Sequence, residues 1–133
     1  MKRTLIVATT SYAGMGPYVS EIVNTFSPED DVFFFFHDYE DEFFKKNIKE
    51  ELHDKSIFYK EANSKKNKLI NLITNKFSYD SLLLQICIEK GIELVHYING
   101  IPSIRMQYKY EGMGIVILLQ YMTWNLMKQK SLV

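Results

Sequence analysis

Cysteine is almost missing from this sequence. Cys87 is the one thiol among 133 residues, so no internal disulfide can form and a reducing compartment suits the chain. Neither sign of charge is in excess: 16 Lys and Arg balance 16 Asp and Glu. That excludes a nucleic-acid protein held by a basic field. It also excludes a polybasic anchor, leaving at most peripheral contact with a membrane. Long apolar runs are missing too, since none approaches the length of about 18 residues that spans a bilayer. The apolar stretch at 4–8 is too short for the h-region of a signal peptide. A cytoplasmic chain is expected, free or at the inner face of the membrane.

Proline and glycine are scarce, at three and six residues, and no linker, repeat or low-complexity tract divides the chain. One domain over 1–133 is expected, with 47% hydrophobic residues to fill its core. The familiar catalytic patterns are missing as well. Ser11, Ser20 and Ser103 do not sit in a G-x-S-x-G elbow. His37, His53 and His96 have no metal-ligand spacing, and Cys87 falls on an apolar helix face, so no metal is expected. After Gly14 and Gly16, the third glycine position of a dinucleotide fingerprint is Val19, and no Lys-Ser or Lys-Thr follows as a P-loop requires. No cofactor is expected, and no catalytic residue can be named.

What is present is a strand running into a glycine loop. Residues 5–10 are apolar and β-branched, Gly14 and Gly16 interrupt them, and Pro17 then opens a helix with Tyr18, Ile22, Val23 and Phe26 as its stripe. Strand, glycine loop and helix N-terminus together bring backbone N–H groups against a polar ligand. The same two glycines also suit a plain tight turn. Further on, strands and helices alternate. Strands are expected at 4–10, 32–36, 56–59, 92–98 and 115–121. The all-apolar run 33–36 fits a central strand covered on both faces. A charged helix is expected from Asp38 or Tyr39 through Leu52, with Phe44, Ile48 and Leu52 on one face. Ser64 is placed to cap a helix carrying Leu69, Ile70, Ile73 and Phe77. A second helical stretch covers 79–90 and ends at Gly91. Pro102 opens a last helix ending near Gly112, and the tail 122–133 has no clear period. The lysines at 60, 65, 66 and 68 read as a solvated face, with a modest patch for a phosphate or an anionic lipid head group as the second reading.

Alternation of this kind implies right-handed crossovers and a mostly parallel sheet of about five strands. The fold class is α/β: a three-layer, Rossmann-like domain with helices on both faces. In such sheets ligands bind beyond the carboxyl ends of the strands, where strand order reverses. An order of 3-2-1-4-5 puts that reversal between the first and fourth strands. The loops 11–16 and 96–103 would then face each other, with 121–125 as a third wall. The candidate ligand contacts are Ser11, Tyr12, Gly14, Gly16, His96, Asn99, Gly100, Ser103, Trp124 and Asn125. His37, with Asp38, could line the cleft edge. His96 has a second reading, as a structural hydrogen-bonding group at a strand end.

The string LIVATTSYAGMGPYVSEIVNTF resembles the opening of the N-terminal domain of GT-B glycosyltransferases of the group-1, glycogen-synthase-like type. GIELVHYINGIPS resembles that family's later strand ending in His, followed by Asn and a Pro-Ser helix start. GIVILLQYMTWN stands where the family has a strand ending in Tyr-Thr-x-His-Asp. Here Trp124 and Asn125 replace that His-Asp, and neither serves as a general base. The resemblance implies an acceptor-binding domain without its donor-binding partner domain, inactive in isolation. Its ligand would be a sugar or glycan acceptor. A truncated gene, a natural half with a partner chain and a piece cut at the domain boundary all fit. Two other classes remain open. One is a non-catalytic module for a nucleotide or phosphorylated ligand. The other is an interaction domain that forms a homo-oligomer or binds a second protein through strand five and the tail.

Overall fold

The computed structural model describes residues 2–12, 14–60 and 68–120, with side chains only from residue 79 onward in the last segment. The central strand β1, Thr4–Ala8, is buried over its last four residues. It pairs in parallel with β2, Val32–Asp38, on one side and with β4, Leu94–Asn99, on the other. β3, Ser56–Lys60, adds to β2, and β5, Val116–Leu119, adds to β4, both in parallel. The order is β3-β2-β1-β4-β5, so the sheet reverses between β1 and β4. This is the doubly wound, Rossmann-like arrangement anticipated from the alternating pattern.

Helices cover both faces, which is why β1 and β2 are apolar in consecutive positions rather than alternate ones. On one face Ile6, Ala8, Phe34, Phe36 and Ile98 pack against Val19 and Val23 of α1, Met15–Val23, and Phe44 of α2, Phe43–Asn47. On the other face Leu5, Val7, Phe35, Val95 and Tyr97 meet two further helices. These are α3, Lys68–Lys90, through Leu83, Ile86 and Cys87, and α4, Ile104–Gly112, through Met106 and Tyr110. Within that second layer the hydroxyls of Tyr97 and Tyr110 meet at 3.0 Å, one donating to the other. Burial pushes the Cys87 thiol up to about 12, so it behaves as a packed apolar group.

Several local expectations need correction. The charged helix expected from Asp38 or Tyr39 to Leu52 is instead a five-residue α2 followed by a 3-10 helix, Glu50–Lys55. Asp38 remains in the strand, and its carboxylate accepts the amides of Phe44 and Lys45, both at 3.0 Å. Glu42 enters α2 at φ 50, and Ile48 leaves it extended, so no continuous helix can form. The two helical stretches expected before Gly91 are one helix, α3, because no glycine or proline interrupts 68–90. Its expected Ser64 cap lies outside the described residues. Gly91 ends α3 at φ 62, with the Ile92 amide donating back to Cys87 at 3.0 Å, and this closure delays β4 to Leu94. Finally, α1 begins at Met15, with Pro17 inside its first turn, and α4 begins after Pro102, with Ser103 as its cap.

Asp38 is 2% exposed and satisfies two amides that would otherwise open α2 without partners. Asp38→Ala should therefore lower stability by about 1.5–3 kcal/mol in urea unfolding. Asp38→Asn, which keeps one acceptor, should lose less.

Candidate functional site

The reversal point is held together by one side chain. Asn99, the last residue of β4, is 1% exposed. Its Oδ1 accepts the amides of Thr9 at 2.5 Å and Thr10 at 3.3 Å. Its Nδ2 donates to the Thr10 carbonyl at 2.8 Å. The Thr9 hydroxyl in turn donates toward Asn99, 3.2 Å from Oδ1 and 3.3 Å from the backbone carbonyl. β1 can end at Ala8 because Asn99 replaces the ladder bonds of the next two residues. The pairing of β1 with β4 slips between Val7 and Ala8, which aligns Ala8 with Asn99. Gly100 follows at φ 75, where an added Cβ would overlap Thr9, so both conformation and space require glycine there.

The loop between β1 and α1 is closed on itself. The Tyr12 amide donates to the Thr10 hydroxyl at 3.1 Å, and the Tyr12 carbonyl accepts from Met15 at 3.0 Å. The Gly16 amide donates to Ser11 at 3.2 Å, and Pro17 has no amide proton. The first three positions of α1 therefore offer no free N–H to an anion, which departs from the expectation set by the glycine loop. The two glycines also have different reasons. Gly14 caps the helix at φ 78, and an added Cβ there would meet nothing within 4 Å. Gly16 is a packing residue: a Cβ there would sit 2.7 Å from the Phe43 ring. A larger side chain at 16 would thus disturb the contact of α1 with α2, rather than merely narrow a ligand site.

Ser11, Tyr12, Gly14, Gly100 and Ser103 belong to loops or caps at this carboxyl edge of the sheet, with Gly16 in the first turn of α1 and Asn99 at the end of β4. Ser103 Oγ accepts the Met106 amide at 3.2 Å and so caps α4. His96 is not with them. It lies mid-strand in β4, level with Ile6 and Leu118, on the face that carries α1. It is half-buried, and burial holds its pKa below the usual histidine value, while the neighbouring Gln120 side chain pulls the other way. Gln120 also donates to the Tyr18 hydroxyl at 3.2 Å. Trp124 and Asn125 lie outside the described residues.

Sequence reasoning missed Thr9, Thr10 and Tyr39. The Tyr39 hydroxyl donates to the Thr9 carbonyl at 3.2 Å, tying the end of β2 to the end of β1. The one signal was the pair of threonines closing an apolar strand. His37, considered for the cleft edge, lies beside Tyr39 with stacked rings 4.8 Å apart, and its ring also meets Tyr59 and Tyr79. Among the described residues, no three His, Cys, Asp or Glu side chains gather as a metal site, and no helix is long and apolar enough to cross a membrane.

Asn99→Ala should cost about 2–3 kcal/mol in urea unfolding, because it strands the Thr9 and Thr10 backbone groups. Asn99→Asp keeps the accepting oxygen but turns a second one toward the Thr10 carbonyl, and should fall between. For His96, the depressed folded value means that protonation favours the unfolded chain. The stability it supports is present above about pH 6.5 and is lost as pH falls through the folded value. Unfolding midpoints should fall between about pH 8 and pH 5.5, and His96→Gln should flatten part of that slope. No protein-family model, curated protein or solved structure matches this chain.

Proposed function

We propose that the chain is the acceptor-binding domain of a glycosyltransferase, acting with a donor-binding domain supplied elsewhere. The observation that carries this reading is the chemistry of the crevice between β1 and β4. The loops 9–16 and 99–103 carry hydroxyls and backbone groups but no Lys or Arg. The Met15 and Gly16 amides are already bonded within the protein. Neutral polar groups fit the hydroxyls of a sugar better than a phosphate, which asks for cations or free amides. Transfer itself needs a departing diphosphate to be neutralised and oriented. These loops hold no group for that task, so the donor side belongs to another domain.

A second reading, a module for a phosphorylated ligand, has one feature in its favour. Arg105 stands in the first turn of α4, beside the Ser103 cap. The two readings separate by titration. Methyl glycosides added to the ¹⁵N-labelled chain should move amide signals of 9–16 and 99–103, with a Kd of about 1 mM or weaker. The purified chain alone should give no turnover of nucleotide sugars with those acceptors. Saturable binding of inorganic phosphate or a nucleotide at Ser103–Arg105, without glycoside binding, would favour the second reading. Glycoside shifts confined to other parts of the domain, or clear turnover by the isolated chain, would overturn the first.

A further inference from the structure

Tyr12 is 62% exposed although it is a large aromatic residue. Its position is nonetheless fixed. Its amide and carbonyl are both bonded within the loop. Its ring lies against Tyr39, with centroids 4.9 Å apart and planes 38° from parallel. Tyr39 in turn stacks on His37 at 4.8 Å and 13°. The Tyr39 hydroxyl is anchored on the Thr9 carbonyl, and Thr9 is anchored on Asn99. His37, Tyr39 and Tyr12 therefore form a column of three rings. Its inner end is built into the sheet and its outer end is open to solvent.

We propose that the open end of this column, the Tyr12 ring, is a stacking platform for a pyranose ring of an uncharged glycan. This rests on the acceptor reading above and names the part of the site that grips the sugar. The face of an aromatic ring is electron-rich, and the C–H face of a pyranose is its apolar, weakly positive side, so the two attract in water. The hydroxyls of a sugar stacked in this way point outward and stay hydrated or reach nearby polar groups. The platform is also pre-organised: little side-chain freedom is lost when a ligand settles on it. The charge around it selects against anions. Asp38, Glu40, Asp41 and Glu42 surround Tyr39 in sequence, and Glu40 and Asp41 are exposed. Glu42 is engaged with Lys45 and Lys60 at 3.9 and 3.5 Å, so these two lysines offset only part of the four carboxylates at 38–42. A phosphorylated or carboxylated ligand would meet repulsion here that a neutral sugar does not.

The test is titration of the full chain with methyl α- and β-glucosides, galactosides and mannosides, followed by amide shifts and by saturation transfer from Tyr12 ring protons to the sugar. Wild-type chain should transfer saturation to the ring C–H protons of at least one glycoside. Tyr12→Ala should weaken that binding about three- to tenfold, and Tyr12→Phe, which keeps the ring, should bind within about twofold of wild type. Urea unfolding of Tyr12→Ala should match wild type, since the side chain is mostly exposed. If glycosides shift the 9–16 and 99–103 loops but Tyr12→Ala binds as well as wild type, the platform is wrong and the acceptor reading stands. If no glycoside binds the wild-type chain, both are wrong. If uridine binds through Tyr12 while the glycosides do not, the column reads a nucleobase and the sugar proposal is overturned.

Discussion

The bond set around Asn99 is the constraint on which the candidate site depends. A parallel sheet opens where neighbouring strands send their chains to opposite faces, because the connecting loops diverge there. That opening exposes backbone groups at the ends of both strands, and each must find a partner. Here one amide side chain serves three of them. Asn99 satisfies Thr9 and Thr10 as an acceptor and Thr10 as a donor, at a position 1% exposed. Asparagine can do this because it carries both an acceptor oxygen and a donor NH₂ on one plane. Asp, Leu or Ala cannot. Tyr39 then ties the same strand end to β2 through the Thr9 carbonyl.

Internal hydrogen bonds also explain why the glycine loop does not behave as its sequence suggests. A strand, a Gly-x-Gly turn and a helix usually present free amides to an anion. In this chain the loop curls back so that Ser11 and Tyr12 carbonyls take the amides of Gly16 and Met15. Pro17 removes the next donor. The two glycines remain necessary, but for internal reasons: one for a left-handed backbone and one for space beside Phe43. The same residue pattern therefore leaves the first amides of α1 bonded within the loop rather than free as in a phosphate cradle. Periodicity and composition cannot distinguish these outcomes, because the choice lies in which carbonyls the amides meet.

The fold was legible because both of its main signals are local and strong. Strands such as 33–36, apolar at every position, are compatible only with cover on both faces, and the intervening amphipathic segments supply that cover. Gly91 marked the end of α3 because only a left-handed residue closes a helix in that way. What sequence reading missed depends on tertiary partners. The helix expected after β2 fails because Asp38 is more useful holding α2 from below than beginning a helix itself. Apolar residues at 44, 48 and 52 keep helical spacing, yet Ile48 is extended and Leu52 reaches the core from a 3-10 turn. The same spacing can thus be met by two short elements with a corner between them.

The site was legible by topology and illegible by chemistry. Knowing the strand order is enough to bring 11–16 and the end of β4 together, but not to say which side chains remain available. Asn99 and Ser103 look like ligand groups in sequence, and each is committed to the backbone in the structure. His96 looks like a strand-end group and is instead set back in the strand, where a two-residue periodicity turns it toward the face of α1. Tyr12 is the reverse case. An aromatic residue in a loop reads as neutral in a pattern search, because loops carry no periodicity to judge it against. Its setting comes from two rings that are distant in sequence, Tyr39 and His37.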